Sequence, residues 1–188
     1  MSLAHVLLTS LLEKPSSGYA LAGRFDKSMG FFWNASHQQI YRELKRMEEN
    51  GWISSSAALD AGKTKKKTYE VLEAGKTELK KWTLLATDPS QIREEMAVRL
   101  RAEAILGPLG IDSELKRHLQ LQQEKLNLYL AIEQRDFKKH NTLSREQHIQ
   151  YRVLLLGIET QKTWIKWATE TIALFERLDH PNFEEQKE

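Results

Sequence analysis

The clearest hydrophobic pattern in the chain lies within residues 36–51. Three apolar residues recur there at spacings of four and three, which places them on one face of an α-helix: Ile40, Leu44 and Met47. Ser36 and Gln39 have the spacing of a capping box, in which each side chain bonds to the backbone amide of the other. Gly51 is typical of the position just after a helix end. The pattern therefore predicts an amphipathic helix with defined ends.

Two short segments after this helix are typical of β-strands. Residues 52–58 open with Trp and Ile, and residues 68–72 mix β-branched, aromatic and polar side chains. The turn between them contains one glycine and four lysines: Gly62, Lys63, Lys65, Lys66 and Lys67. A capped helix followed at once by a lysine-rich hairpin predicts a winged helix-turn-helix.

The helix face opposite the apolar stripe carries amide and cationic side chains: Gln38, Arg42 and Lys45. In the DNA major groove, Arg pairs with guanine edges and Gln with adenine edges, so this face suits base reading. An ordinary surface helix with a solvated polar face is the alternative. Lysines at a hairpin tip neutralise phosphates without reading sequence. Helix and hairpin in this order favour a DNA-binding interpretation over the surface helix.

Three further N-terminal helices are predicted. The first covers residues 3–12, and the other two have these apolar positions: Leu21, Ala22 and Phe25 in the second, and Leu79, Trp82 and Leu85 in the third. The break at Asp88, Pro89 and Ser90 is the best domain boundary in the chain. We expect a DNA-binding domain in residues 1–88 and a helical dimerisation domain in residues 89–188.

The C-terminal half predicts three long helices, over residues 92–106, 113–137 and 144–178. Ser144 and Gln147 form a second capping box. The last helix carries two adjacent apolar stripes: Leu154, Ile158, Ile165, Ala168, Ile172 and Phe175 in one, and Val153, Trp164, Trp167, Leu174 and Leu178 in the other. So wide an apolar band exceeds what one flanking helix covers, so we expect a homodimer. A monomeric three-helix bundle is the alternative.

Composition adds mainly exclusions. The 188 residues include no cysteine, which excludes disulfides. The formal net charge of +2 is too small to indicate nucleic-acid binding by itself. No apolar run approaches the roughly 20 residues of a membrane span, and residues 1–12 have an apolar run without the basic lead and small-residue cleavage site of a secretory leader, so we expect a soluble, cytoplasmic protein. The six histidines are scattered and no catalytic set is evident. We therefore expect no metal, no cofactor and no enzyme activity.

Separated motifs lie in residues 16–19, 31–33, 36–51 and 69–75, and together they cover about the first 85 residues. These motifs resemble the PadR family of bacterial transcriptional regulators. Leu72 departs from the family pattern, which usually has threonine before the Glu-Ala-Gly turn. The C-terminal half is similar to the branch with a long helical domain, which includes a virulence activator. The resemblance implies a dimer that binds a palindromic operator, usually as a repressor. The expected fold is mainly α, with an N-terminal winged helix-turn-helix and a C-terminal, coiled-coil-like dimerisation domain.

We expect three groups of DNA contacts. Base edges are read by Gln38, Gln39 and Arg42. The helix is positioned on the backbone by Ser36, Tyr41, Lys45 and Arg46. Flanking phosphates are engaged by Lys63, Lys65, Lys66 and Lys67, and Tyr19 either touches a phosphate or packs in the core.

Some members of the PadR family sense phenolic or drug-like aromatic molecules. Trp164 and Trp167 are candidates to stack on such an effector, although their spacing of three is equally typical of core or interface residues. A winged-helix protein-interaction module that does not bind DNA is the alternative function.

Overall fold

The computed structural model describes residues 3–25, 33, 35–57, 67–89, 91, 93–138 and 142–179. The chain divides into two compact units, Met1–Pro89 and Ser90–Glu188, and each is described by itself. Helices dominate both units, and the described strands form one small sheet in the first. The predicted mainly helical class is confirmed. Within the described ranges, no helix combines the length and apolar character that a membrane crossing requires.

The first unit has four helices and three strands among its described residues. In chain order they are α1 (Leu3–Glu13), β1 (Ser16–Ser17), α2 (Gly18–Phe25), α3 (His37–Glu49), β2 (Ile53–Ala57), β3 (Lys67–Val71) and α4 (Glu73–Thr83). The sheet is antiparallel in the order β1-β3-β2, with Tyr69 opposite both Ser16 and Ser55. This is the winged arrangement that the sequence predicts.

The core of the first unit forms around α1. Its fully buried residues come from α1, α2, α3 and β2: Ala4, Leu7, Leu8, Leu11, Leu21, Ala22, Ile40, Leu44, Met47 and Ile53. Each buried leucine contributes roughly 1.5–3 kcal/mol relative to an exposed one. The apolar stripe predicted for α3 is therefore confirmed. His5 of α1 is buried too, where its ring stacks on Trp82 of α4 at 4.6 Å between centroids.

The structure corrects several details of the predicted elements. Strand β1 was not predicted, because two residues are too short to show a periodic pattern. Helix α4 ends at Thr83, so Leu85 lies outside it and is 62% exposed. The side chain of Phe25, which we expected in the core, lies outside the described residues.

The second unit contains α5 (Glu95–Leu106), α6 (Ile111–Asp136) and α7 (Arg145–Asp179). Helix α5 begins later than predicted because the Glu94 carboxylate accepts a hydrogen bond from the Met96 amide and caps the helix there. The predicted capping box before α7 is confirmed, with the Gln147 amide donating to Ser144 Oγ at 3.2 Å and the Ser144 amide donating to Gln147 Oε1 at 2.8 Å.

Helices α6 and α7 pack antiparallel. Near the loop between them, Tyr151 donates a hydrogen bond to Glu133 at 2.6 Å. Farther along, a Cβ at Gly157 would lie 2.9 Å from the Tyr129 ring, so glycine permits the close approach. Tyr129 is 2% exposed, and burial raises the pKa of its hydroxyl to about 12. A hydrophobic cluster around Met96, Leu115 and Ala168 joins α5 to both α6 and α7.

Gly75 provides a test of the first unit's packing. A Cβ there would overlap the Trp52 carbonyl oxygen and lie 3.1 Å from Leu8 Cδ2. We predict that Gly75→Ala lowers the free energy of unfolding by about 1–3 kcal/mol, measured by urea denaturation. Gly23→Ala in α2 is the matched control, because no atom of the described part of the chain lies within 4 Å of a Cβ added there. The control should stabilise the protein by up to about 1 kcal/mol; equal effects of the two substitutions would contradict the packing.

Candidate nucleic-acid interface

The outward face of α3 presents Gln38 and Arg42 to solvent. Both residues are exposed, and neither makes a hydrogen bond or ion pair with the described residues. The opposite face of the helix is fully buried at Ile40, Leu44 and Met47. Because the core fixes the rotation of α3 about its axis, these two polar side chains point away from the protein with their donors and acceptors available.

The start of α3 is held by the predicted capping box. The Gln39 amide donates to Ser36 Oγ at 3.2 Å, and the Ser36 amide donates to Gln39 Oε1 at 2.8 Å. These bonds satisfy two of the backbone donors that a helix N-terminus leaves open. Ser36 and Gln39, expected to contact DNA, are therefore also the residues that fix where the helix begins.

The two other cations of α3 are paired within the helix. Arg46 bonds to Glu43 through two nitrogens, with Nε 3.2 Å from Oε2, and this hydrogen bond and the carboxylate charge raise the pKa of the guanidinium. Lys45 lies 3.7 Å from Glu49, and both side chains are largely exposed. An exposed pair of this kind contributes little to stability, so Lys45 can exchange partners readily.

Two tyrosines lie close to the start of α2. Tyr19 is the second residue of that helix, and Tyr41 of α3 packs against its first residue. The Tyr41 ring packs against Gly18, where an added Cβ would lie 2.5 Å from the ring atom Cε1. Tyr41 is nevertheless 45% exposed and Tyr19 is 74% exposed. The core-packing alternative for Tyr19 is therefore wrong, because most of this residue is exposed.

One lysine of the predicted cluster, Lys67, lies within the described part of the β2–β3 hairpin. Lys67 is the first residue of β3, pairs with Ala57 and is exposed. Lys63, Lys65 and Lys66 lie outside the described residues. Because side chains alternate along a strand, Lys67 shares its face with Tyr69 and Val71.

A polar contact between α3 and the hairpin was not predicted. Ser55 of β2 donates a hydrogen bond to Glu48 Oε1 at 2.5 Å. Tyr69, beside Ser55 in the sheet, has a raised pKa because of burial first, and then because of the nearby Glu48 carboxylate and Tyr41. Glu48 follows Tyr41 by seven residues, so both lie on one side of α3, and this spacing was the available signal.

Trp164 and Trp167 belong to the cluster that joins α5, α6 and α7. Their rings meet edge to face with centroids 5.4 Å apart, and both side chains are half-buried. The Trp164 indole N–H donates to the Glu94 carboxylate at 3.2 Å, and the His118 ring lies 6.1 Å from Trp164. The pair therefore packs within the second unit, with one polar group already engaged by protein.

Glu114 gathers cations beside this cluster. Its carboxylate bonds to Arg117 at 2.8 Å and lies 3.2 Å from His118 Nε2 and 3.8 Å from Arg99. The hydrogen bond from Arg117, followed by the charges of these neighbours, lowers the pKa of Glu114 to about 2. The network links α5 to α6 by charge as well as by apolar contact.

Comparison with known proteins identifies the family. The PadR-like transcriptional regulator family matches residues 7–81, and the virulence activator alpha C-terminal family matches residues 92–176. A probable transcriptional regulator of Mycobacterium tuberculosis is 34% identical over 180 residues, which span 90% of this chain and 95% of the relative. The chain belongs to the PadR-like family of transcriptional regulators. The resemblance predicted from its motifs is confirmed, and the chain is a regulator rather than an enzyme.

Other similar proteins agree with this fold. The negative transcriptional regulator PadR of Bacillus subtilis is 27% identical over 184 residues, covering 93% of this chain and 98% of the relative. The virulence activator AphA of Vibrio cholerae superimposes with a TM-score of 0.75 at 28% identity, covering 94% of this chain and 99% of AphA. The Bacillus subtilis PadR structure with operator DNA superimposes with a TM-score of 0.79 at 24% identity, covering 92% of this chain and 97% of the PadR chain.

Proposed function

We propose that this PadR-like regulator binds operator DNA sequence-specifically as a homodimer, with α3 in the major groove and the β2–β3 hairpin against the flanking backbone. The observation that carries this proposal is the outward face of α3. Gln38 and Arg42 are exposed there and make no bond to the described residues, while the buried opposite face fixes their direction. Groove readers need such a rigid helix with free polar side chains.

The roles of the side chains follow from their chemistry. Arg42 can donate two hydrogen bonds to the O6 and N7 atoms of guanine, and Gln38 can pair with adenine. Lys45 and Tyr41 lie beside them and are exposed, which suits contacts to phosphate oxygens. Lys67 and the neighbouring lysines of the hairpin tip would neutralise phosphates on either side of the groove. We expect base preference from α3 and salt-dependent affinity from the hairpin.

The second unit supplies the argument for a dimer. Five apolar residues of α7 share one face of that helix, and each is at least 44% exposed in the single chain: Ile149, Val153, Leu156, Leu174 and Leu178. Helix α6 adds Leu121 and Leu128, seven residues apart and similarly exposed. A protein rarely leaves so many large apolar side chains on one helix face in water, so we propose that a second copy covers this face. Two-fold symmetry then implies a palindromic operator with half-sites about 34 Å apart.

We propose that the regulator acts as a repressor. The supporting observation is that its relative of 27% identity over nearly the whole chain is a negative transcriptional regulator. A dimer seated on an operator represses by occupying DNA that polymerase needs. Release would then require an effector, and the Bacillus subtilis PadR solved with p-coumaric acid suggests a phenolic one. We propose the aromatic cluster at Trp164 and Trp167 as the place where it acts.

The base-reading role of Arg42 is testable. We predict that Arg42→Ala costs about 1–3 kcal/mol on the operator and relaxes preference at one base pair, because a bidentate contact is lost. Lys67→Ala is the matched control, since it should weaken operator and random DNA alike and flatten the salt dependence. Fluorescence anisotropy on both DNAs at several salt concentrations measures these effects. Equal losses on operator and random DNA for Arg42→Ala would refute base reading, and no binding at physiological salt would favour the protein-interaction module.

The proposed dimer face is testable by sedimentation equilibrium. We predict a particle of twice the 21.9 kDa chain mass at micromolar concentration. Leu156→Glu should yield monomers, because it places a charge in the apolar stripe. Thr169→Glu is the control, because Thr169 is exposed on the opposite side of α7. A wild-type protein that stays monomeric, or a Leu156→Glu variant that still dimerises, would contradict this interface.

A phenolic effector should report through tryptophan fluorescence. We predict that p-coumaric acid changes the emission of the wild-type protein and releases operator DNA over the same concentration range. The Trp164→Phe variant should lose most of the emission change, because it removes the indole nearest His118 and Glu94. Flat titrations of a protein that still binds its operator would exclude this effector.

A further inference from the structure

One polar contact of the first unit is unexplained by the functions assigned so far. Glu48 lies in the last turn of α3, half-buried, on the side of the helix that faces the hairpin. It makes no contribution to the outward, base-reading face. Its carboxylate instead accepts the hydrogen bond from Ser55 at 2.5 Å, across seven residues of chain. Such a bond to a charged acceptor in a partly buried position is among the stronger ones in proteins.

Ser55, which donates the bond to Glu48, lies at the midpoint of β2, an edge strand of the sheet. Ser55 lies on β2 directly opposite Tyr69 of β3, so both side chains point to the same face. Along that face, β3 runs from Val71, which packs against the core, through half-buried Tyr69 to exposed Lys67. Glu48 therefore meets the hairpin midway between the apolar core and Lys67 at the start of β3.

We propose that Glu48 is a positioning residue for DNA recognition, which sets the orientation of the β2–β3 hairpin relative to the reading helix through its bond to Ser55. This inference rests on the proposed function, since it assumes that α3 and the hairpin contact the same DNA. A backbone hydrogen bond from the Trp52 amide to the Met47 carbonyl at 2.9 Å joins the helix to the start of β2. Strand β2 is the sheet edge away from β1, and the Glu48 contact lies farther along it, so that contact limits movement of this edge relative to α3.

The consequence for binding is specific to the hairpin. Hairpin lysines contribute phosphate contacts if their strand is held at the angle that follows the groove. Removing the Glu48 acceptor should loosen that angle and leave Gln38 and Arg42 in place, because α3 is held by its own buried stripe. Phosphate contacts would be lost while base preference is kept.

Binding measurements can separate this role from a simple charge effect. Glu48→Ala removes both the bond and a negative charge near DNA, whereas Glu49→Ala removes a charge from the next residue, which is exposed and pairs with Lys45. We expect Glu48→Ala and Ser55→Ala each to weaken operator binding about tenfold relative to Glu49→Ala. The slope of log affinity against log salt should become shallower by about one phosphate contact. The preference at the base pair read by Arg42 should stay at its wild-type value.

Two further variants test the bond itself. Glu48→Gln keeps an acceptor oxygen without the charge and should bind nearly as wild type does. The double variant Glu48→Ala, Ser55→Ala should bind no more weakly than Glu48→Ala alone, because the second change removes a partner already lost. Additive losses, or equal affinity and salt slope for Glu48→Ala and Glu49→Ala, would overturn the proposal. A lower melting temperature with an unchanged salt slope would show that Glu48 stabilises the fold without positioning the hairpin.

A measurement without DNA keeps this inference distinct from the proposed function. In the free protein, Glu48→Ala should speed hydrogen exchange of the β2–β3 amides and bring the pKa of Tyr69 down, and Glu49→Ala should do neither. Equal exchange rates in the two variants would overturn the coupling even if the protein binds its operator. If the wild-type protein shows no preference for any DNA, the proposed function fails, and the exchange comparison still decides whether Glu48 holds the hairpin.

Discussion

The first unit depends on the burial of one apolar stripe of α3 against α1. A helix has about 3.6 residues per turn, so burying Ile40, Leu44 and Met47 determines which residues must face outward. Gln38 and Arg42 are therefore presented by the same packing that stabilises the fold. Gln38 and Arg42 need no support of their own, because any rotation of α3 that moved them would expose fully buried leucine and methionine side chains. The same buried contacts therefore stabilise the fold and set the direction of the polar face of α3.

The second unit satisfies a different requirement. A long helical hairpin has more apolar surface than its two helices can cover for each other, and the structure divides that surface by face. Leu154 and Ile158 are buried toward α6, while Val153 and Leu156 remain in water. The close contact of Gly157 with the Tyr129 ring brings the two helices together on the first face. The packing of α6 against α7 does not use the second face, so that face remains available to another surface.

Features that depend on neighbouring residues could be predicted from the sequence. Both capping boxes, at Ser36 and Ser144, follow from a spacing of three, and the buried face of α3 follows from its period. Contacts between side chains of different elements could not be predicted from spacing alone. The Ser55–Glu48 bond depends on the angle at which β2 leaves α3, and the Trp164–Glu94 bond joins residues 70 positions apart. Leu85 misled the prediction because an apolar period can continue past the end of a helix, which α4 reaches at Thr83.

The capping box has a chemical consequence for one of the expected base contacts. While Gln39 Oε1 accepts the hydrogen bond of the Ser36 amide, one of its two lone pairs is engaged and the oxygen is held beside the start of the helix. Pairing with both N6 and N7 of adenine needs an acceptor and a donor, and the exposed Gln38 side chain offers both. In the proposed complex with DNA, Gln39 would therefore act as a donor to an acceptor such as guanine O6 or thymine O4, and full pairing with adenine would require it to release the start of its own helix. The two adjacent glutamines thus differ in the hydrogen-bonding groups that they would offer to a base.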